Sequence, residues 1–302
     1  MAEGRESMTL IILAAGLGSR FGGDKQISRV GPAGQMLMEY AAYDAVRAGF
    51  DHVVFILKSD MVATVRQTLG DRLSRRVRVS YAVQDYTSLP DWYTVPHERV
   101  KPFGTVHALL CAAPYISSDD RIATVNADDY YGPEAFARMA RLLCGLATTG
   151  EMAMVSYRLG NTLSENGGVN RGLCRIEDGR LLGIRETRDI RFGPDGAPVS
   201  GGMTLDSNAP ISMNFWGFCA SVFPTMGDYF AEFLRALPHG ELKAECLLPE
   251  MVGDMLTARQ YTVRADTTPS HWFGMTYRED KQAVTQRLAD LHRDGIYPDN
   301  LF

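Results

Sequence analysis

The chain has 302 residues, of which 45% are hydrophobic and 22% charged, with a formal net charge of −5. These values fit a globular α/β-sized protein with room for a substantial core. The acidic balance argues against bulk attraction to nucleic acid, and no apolar run nears the roughly 20 residues needed to cross a membrane.

Residues 1–8 lack an apolar centre, so they are read as a flexible lead-in and not as a secretory signal. Thr9 to Leu13 reads as a buried parallel strand. It runs into Leu13-Ala14-Ala15-Gly16-Leu17-Gly18-Ser19-Arg20-Phe21-Gly22-Gly23-Asp24-Lys25-Gln26. Glycines at a strand's carboxyl end let backbone N–H groups close on a phosphate without interference from Cβ atoms. Arg20 and Lys25 add two positive charges, at the usual ligand position of open α/β sheets. Two familiar loops fail here. A dinucleotide fingerprint needs a third glycine where Phe21 stands, and a P-loop needs Lys and Ser/Thr where Asp24 and Lys25 stand.

The apolar spacing of Gln35 to Ala48 predicts a helix, Val53 to Leu57 a second strand, and Met61 to Leu69 a helix. Val77 to Val83 reads as a strand, Ala108 to Ala113 as part of a helix, and Arg121 to Val125 as a strand. Pro133 opens a helix through Leu146. Beyond about residue 150 the alternation ends. Met152 to Tyr157 and Ser212 to Cys219 read as strands, and Leu173 to Ile184 as a hairpin around Asp178-Gly179. Phe192 to Asn208, rich in Gly and Pro, reads as a loop. Helices are predicted over Pro224 to Leu237, Glu245 to Leu256 and Lys281 to Asp294.

The five cysteines are scattered and never spaced as C-x-x-C, which favours reduced thiols and a cytoplasmic setting. The histidines show no zinc spacing, and no G-x-S-x-G elbow is present. In Val125-Asn-Ala-Asp-Asp-Tyr-Tyr-Gly132, two acids follow a buried strand, where packing alone explains them poorly because isolated buried carboxylates are costly.

The glycine loop, with its S-R-x-G and following Lys-Gln, resembles that of the sugar-phosphate nucleotidyltransferases (NDP-sugar pyrophosphorylases) of glycosyltransferase A-type fold. The resemblance implies a Rossmann-like three-layer α/β fold, with a mixed, mostly parallel sheet flanked by helices. It implies one domain over 9–302, with a nucleotide-binding half to about residue 150 and a sugar-binding half thereafter. Leu13, Ala14, Ala15, Gly16, Gly18 and Ser19 would wrap the triphosphate, while Arg20 and Lys25 neutralise the departing pyrophosphate. Gln84, ending Tyr81-Ala-Val-Gln84, would read a pyrimidine edge, with Gly104 and Thr105 opening a helix beside the base and Thr105 able to cap it. Asp128 would bind Mg²⁺, with Asp129 orienting it or binding ribose. The closing W-F-G-M-T-Y-R-E-D replaces the family's usual W-x-D-x-G-T, leaving Asp266 and Asp280 as candidates for the second metal ligand. Glu186 would accept sugar hydroxyls. Thr187 stands where many relatives carry a phosphate-binding Lys, so Lys243 is the candidate for that charge, and Asn214 a candidate sugar contact.

The implied reaction joins a nucleoside triphosphate, UTP or dTTP being favoured, to a sugar 1-phosphate and releases pyrophosphate. The alternatives are a nucleotidyltransferase acting on a non-sugar phosphate such as phosphocholine, or a non-catalytic binding protein of the same fold. Retention of Lys25 and Asp128 favours an enzyme, and Glu186 favours a sugar.

Overall fold

A computed structural model describes residues 7–16, 27–164, 166–275 and 279–302. The first half alternates strand and helix: β1 (Met8–Leu13), α1 (Leu37–Ala48), β2 (His52–Leu57), then the short helices α2 (Val62–Val65) and α3 (Asp71–Leu73). β3 (Arg78–Val83), α4 (Thr105–Ala112), β4 (Arg121–Asn126), β5 (Asp129–Tyr130) and α5 (Pro133–Cys144) follow. The second half runs β6 (Glu151–Arg158), β7 (Val169–Glu177), β8 (Arg180–Phe192), β9 (Pro198–Ser200), β10 (Met203–Thr204) and β11 (Pro210–Cys219). It continues with α6 (Val222–Ala236), α7 (Leu248–Thr257), β12 (Thr262–Thr268), β13 (Phe273–Gly274) and α8 (Asp280–Arg293).

The main sheet has the order β10-β9-β8-β12-β6-β11-β4-β1-β2-β3, with β7 paired to β8 and β11. β3, β2, β1 and β4 are mutually parallel, and β12 is parallel to β6. β11 runs antiparallel to both β4 and β6. The sheet is mixed, as expected, and its β3-β2-β1-β4 part is parallel; antiparallel pairing through β11 and the β7–β10 extension outnumbers parallel pairing over the whole sheet.

Residues alternate between sheet faces with a period of two, and both faces are covered. Leu10, Ile12, Val53 and Phe55 pack with Met38 and Ala45 of α1 and with Phe136 and Met139 of α5. Ile11, Val54 and Ile56 face the other way, against Val106 and Leu109 of α4, Phe230 of α6 and Met251 of α7. Burying each such large side chain contributes about 1.5–3 kcal/mol relative to exposure. A third apolar cluster joins Tyr40, Tyr130, Phe273, Leu288 and Tyr297, seating α8 and the chain end on α1. Among the described residues no helix is long and apolar enough to cross a membrane.

Several boundaries depart from expectation. The predicted lead-in falls mostly outside the described residues, and Met8 already belongs to β1. The helix expected over 61–69 is broken by a π-helical stretch, Arg66–Gly70. The segment read as a loop, 192–208, contains the β9–β10 hairpin. β12 had no counterpart in the sequence reading. The two-residue turn at Asp178-Gly179 has positive φ at both residues (48° and 71°), as a tight hairpin turn requires.

Candidate active site

β1 and β4 lie side by side with Leu13 opposite Asn126, so the segments leaving their carboxyl ends emerge together. The Ala14 N–H donates to the Ile56 carbonyl at 2.8 Å, and the Ala127 N–H to the Leu13 carbonyl at 3.0 Å. Ala14 packs into the core on one face of the sheet and Ala15 into the core on the other, which explains two small apolar residues there. Gly16 is exposed and opens the loop. Gly18, Ser19, Arg20 and Lys25 lie outside the described residues.

The acidic pair divides by environment. Asp129 is 7% exposed, and its carboxylate accepts from Asn126 Nδ2 at 2.8 Å and from the Tyr131 hydroxyl at 3.4 Å. Asp128 is half-buried, and its carbonyl accepts the Met275 N–H at 3.2 Å. Gly274 pairs with Asp129 across β13 and β5, and a Cβ there would stand 2.3 Å from Asp129 Oδ1. Only glycine lets the backbone close on that carboxylate. Hard oxygen donors of this kind suit Mg²⁺, which is commonly held by one or two carboxylates plus substrate phosphates. Among the described residues no cluster of three or more His, Cys, Asp or Glu is assembled. Asp128 and Asp129 supply two adjacent carboxylates of that kind.

Gln84 follows β3. Its Nε2 donates to the Gly104 carbonyl at 2.9 Å and lies 3.5 Å from His107 Nδ1, so the amide carbonyl is the edge left for a ligand. Gly104 has φ 92°, and a Cβ there would meet the Cys246 carbonyl at 2.5 Å. Gly104, not Thr105, is the N-cap of α4. The Thr105 hydroxyl instead accepts the Leu248 N–H at 2.7 Å, capping α7 across the molecule. His107 is 1% exposed and bonded to the Ser88 hydroxyl, and burial pushes its pKa down to about 4. The imidazole packs flat against the Phe230 ring.

In the second half, Asn214 occupies a bulge of β11 with φ 62°. Glu186 is exposed on β8, opposite Gly172 of β7. Among the described residues it has no ion pair with Arg185 or Arg188. Lys243 is exposed, on a segment held against residues 99–105 by the buried Arg99, which donates to the carbonyls of Glu241 and Ala244. No described contact brings Lys243 to Glu186 or Asn214. Asp266 is ion-paired with Arg138 at 2.7 Å. Asp280 begins α8 and accepts from Asn166 Nδ2 at 2.9 Å and from the Ser164 hydroxyl at 3.5 Å.

A cleft of about 530 Å³ is lined among others by Arg171, Trp272, Asp280 and Gly274, the last being the strand partner of Asp129. Arg171 was not among the residues singled out in the sequence. Burial lowers its pKa to about 10, against the pull of Asp129 and Glu186, so one guanidinium senses a carboxylate from each half of the chain.

Residues 10–163 match the model of the MobA-like NTP transferase domain. A search of curated proteins finds no match. Among solved structures, the inositol-1-phosphate CTP transferase from T. maritima superposes with a TM-score of 0.61 at 12% identity, covering 95% of this chain and 98% of that one. A provisionally assigned glucose-1-phosphate thymidylyltransferase from Bacillus anthracis, in complex with sucrose, gives a TM-score of 0.60 at 15% identity, covering 94% and 96%. At these identities the likeness is one of fold. With the family model spanning about half of the chain, and the glycine loop and acidic pair both inside it, the chain belongs to the MobA-like NTP transferase domain family and is a nucleotidyltransferase.

Proposed function

We propose that the protein transfers a nucleotidyl group from UTP or dTTP to a sugar 1-phosphate, giving an NDP-sugar and pyrophosphate. The observation that carries this reading is the emergence, from adjacent strands β1 and β4, of the glycine loop and of an acidic pair with one carboxylate buried and the other half-exposed. Gln84 supports the choice of base, because its Nε2 is engaged by the Gly104 carbonyl and an amide carbonyl can accept from the N3–H of uracil or thymine. The same carbonyl accepts the exocyclic amine of cytosine, and the T. maritima structure is of a CTP transferase, so CTP is the second candidate.

The nucleophile is a phosphate oxygen of the acceptor. A phosphate monoester has its second pKa near ~6, so it is largely ionised at neutral pH and needs no general base. The work left to the chain is to hold two anions in line and stabilise charge on the leaving pyrophosphate. Lys25 and Arg20 neutralise that charge, and residues 13–16 with Gly18 and Ser19 shape the loop around the triphosphate. Asp128 would hold Mg²⁺, with Asp129 supporting it. When bound, the ion supplies charge neutralisation at the phosphates. Glu186 accepts hydroxyl hydrogen bonds from the sugar.

The test is pyrophosphate release over a grid of UTP, dTTP, CTP, ATP and GTP against sugar 1-phosphates, inositol 1-phosphate and phosphocholine. Turnover with a sugar 1-phosphate and a pyrimidine nucleotide supports the reading. Turnover confined to phosphocholine, or no turnover in any cell of the grid, overturns it.

A further inference from the structure

We propose that Arg171 is the residue that binds the phosphate of the acceptor substrate, an assignment that rests on the nucleotidyl-transfer reading above. From the turn at Asp178-Gly179, Glu177 pairs with Arg180 and Ile176 with Leu181. An unbroken ladder would set Arg171 opposite Glu186. A bulge between Arg175 and Ile176 advances the pairing by one residue, so Arg171 stands opposite Thr187 and Gly172 opposite Glu186. The extra residue is Leu182 on β8, so the β8 side chains beyond it change sheet face, and Thr187 in place of Glu186 shares the face of Arg171. Arg171 therefore faces the small, polar Thr187 across the ladder, and it lines the cleft that Gly274 and Asp280 also line.

The surroundings of the guanidinium suit an anion. It lies 4.9 Å from the Trp272 ring centroid, which fixes its plane. Nε donates to Thr162 Oγ1 at 3.4 Å, Nη1 to the Asn170 carbonyl at 3.0 Å and Nη2 to the Thr162 carbonyl at 2.6 Å. These bonds hold the fork by neutral oxygens and leave two of its five N–H groups for a ligand. Among the described residues no carboxylate approaches it within ion-pair distance, so its charge is balanced only from farther off, by Asp129 and Glu186. Trp272 lines the same cleft, and its buried Nε1 has no hydrogen-bond partner among the described residues. An arginine held by neutral groups, with donors to spare beside a cleft, is built to meet a planar or tetrahedral oxyanion. Gly274, which pairs with Asp129, lines the same cleft, so an anion held by Arg171 would lie on the side of the cleft toward the acidic pair.

The experiment uses the full chain with the best acceptor from the substrate grid. Arg171→Lys and Arg171→Met are assayed for KM of the acceptor phosphate, KM of the nucleotide and kcat, with nucleotide affinity measured by calorimetry. Inorganic phosphate serves as a competitive probe of the anion site. We expect acceptor KM and the inhibition constant for inorganic phosphate to rise at least tenfold in Arg171→Met, and several-fold in Arg171→Lys, which keeps the charge but loses the fork. Nucleotide affinity should stay within about twofold. If Arg171→Met does not fold, Arg171→Lys decides. Unchanged acceptor KM in a folded variant, or an equal loss for both substrates, overturns the assignment while the functional reading stands. Absence of transfer to any phosphorylated acceptor by the unmodified chain removes the functional reading and this assignment with it.

Discussion

Asn214 Nδ2 donates to Asn126 Oδ1 at 2.9 Å, joining the bulge of β11 to the end of β4 just before the acidic pair. Asn126 in turn donates to the buried Asp129 carboxylate, and Asn214 Oδ1 accepts the Trp216 indole N–H at 3.0 Å. The result is a relay of neutral amides that fixes where the acids sit.

Asn214→Ala should therefore cost stability as well as activity. It strands the Trp216 N–H, a loss of about 1–3 kcal/mol for a buried donor, and puts a residue poorly suited to positive φ at 62°. Asn214→Gly relieves only the backbone part and should lie between the two in urea denaturation. A fully stable Asn214→Ala would show that the relay does not bear on folding, leaving a sugar contact as its role.

Asp128→Asn is expected to abolish Mg²⁺-dependent turnover while the fold persists, because the half-exposed amide keeps the shape and loses the charge that holds a hard cation. Asp129→Asn should behave differently. It sets an amide against the Asn126 donor in a buried site, so a lower thermal midpoint is expected alongside lower activity. Magnesium titrations of both variants separate the roles. Tighter dependence on Asp129 than on Asp128 would reverse the assignment within the pair.

Glu186→Ala should raise KM for the sugar phosphate at least roughly tenfold, since ~1.4 kcal/mol corresponds to a factor of ten. Nucleotide affinity should change little. An exposed carboxylate acting only as a surface charge would contribute about 0–1 kcal/mol and leave both KM values where they were. Steady-state kinetics in each substrate tells these apart.

His107 gives a pH dependence with a definite sign. Its folded pKa lies near 4 against an ordinary 6.5, through burial first. Above pH 6.5 neither state is charged. As pH falls from 6.5 to 4 the unfolded chain takes a proton that the folded chain refuses, so stability is lost, by up to about 3 kcal/mol for a shift of this size. The stability difference between the unmodified protein and His107→Asn should shrink over that window in urea titrations. A constant difference from pH 7 to pH 4 would contradict the buried, neutral state.

The parts most legible in the sequence are those governed by local physics. Apolar runs marked β1, β2 and β4, Pro133 marked α5, and Asp178-Gly179 marked the β7–β8 turn. β12 escaped because only Val263, Ala265 and Thr268 of its seven residues are buried, so its alternation is written in a mostly polar alphabet. Arg171 escaped for a different reason. Its partner is set by a bulge four residues away, and no local pattern announces which residue a ladder will skip. Thr105 was rightly placed at a helix start, but its hydroxyl serves Leu248, more than a hundred residues downstream. Long-range pairing of that kind is decided by packing, which a linear reading does not contain.

The place of β11 also bears on how the chain is made. β4 and β6 both fall within residues 10–163, yet they never touch as neighbours, because β11 at 210–219 lies between them. As the chain leaves the ribosome, β4 waits with an open edge until some ninety residues more have been synthesised, and open strand edges invite wrong partners. A gene fragment ending near residue 163 would encode the recognisable motif and half of a sheet. The family's signature is thus contained in a stretch that depends for closure on what is translated after it.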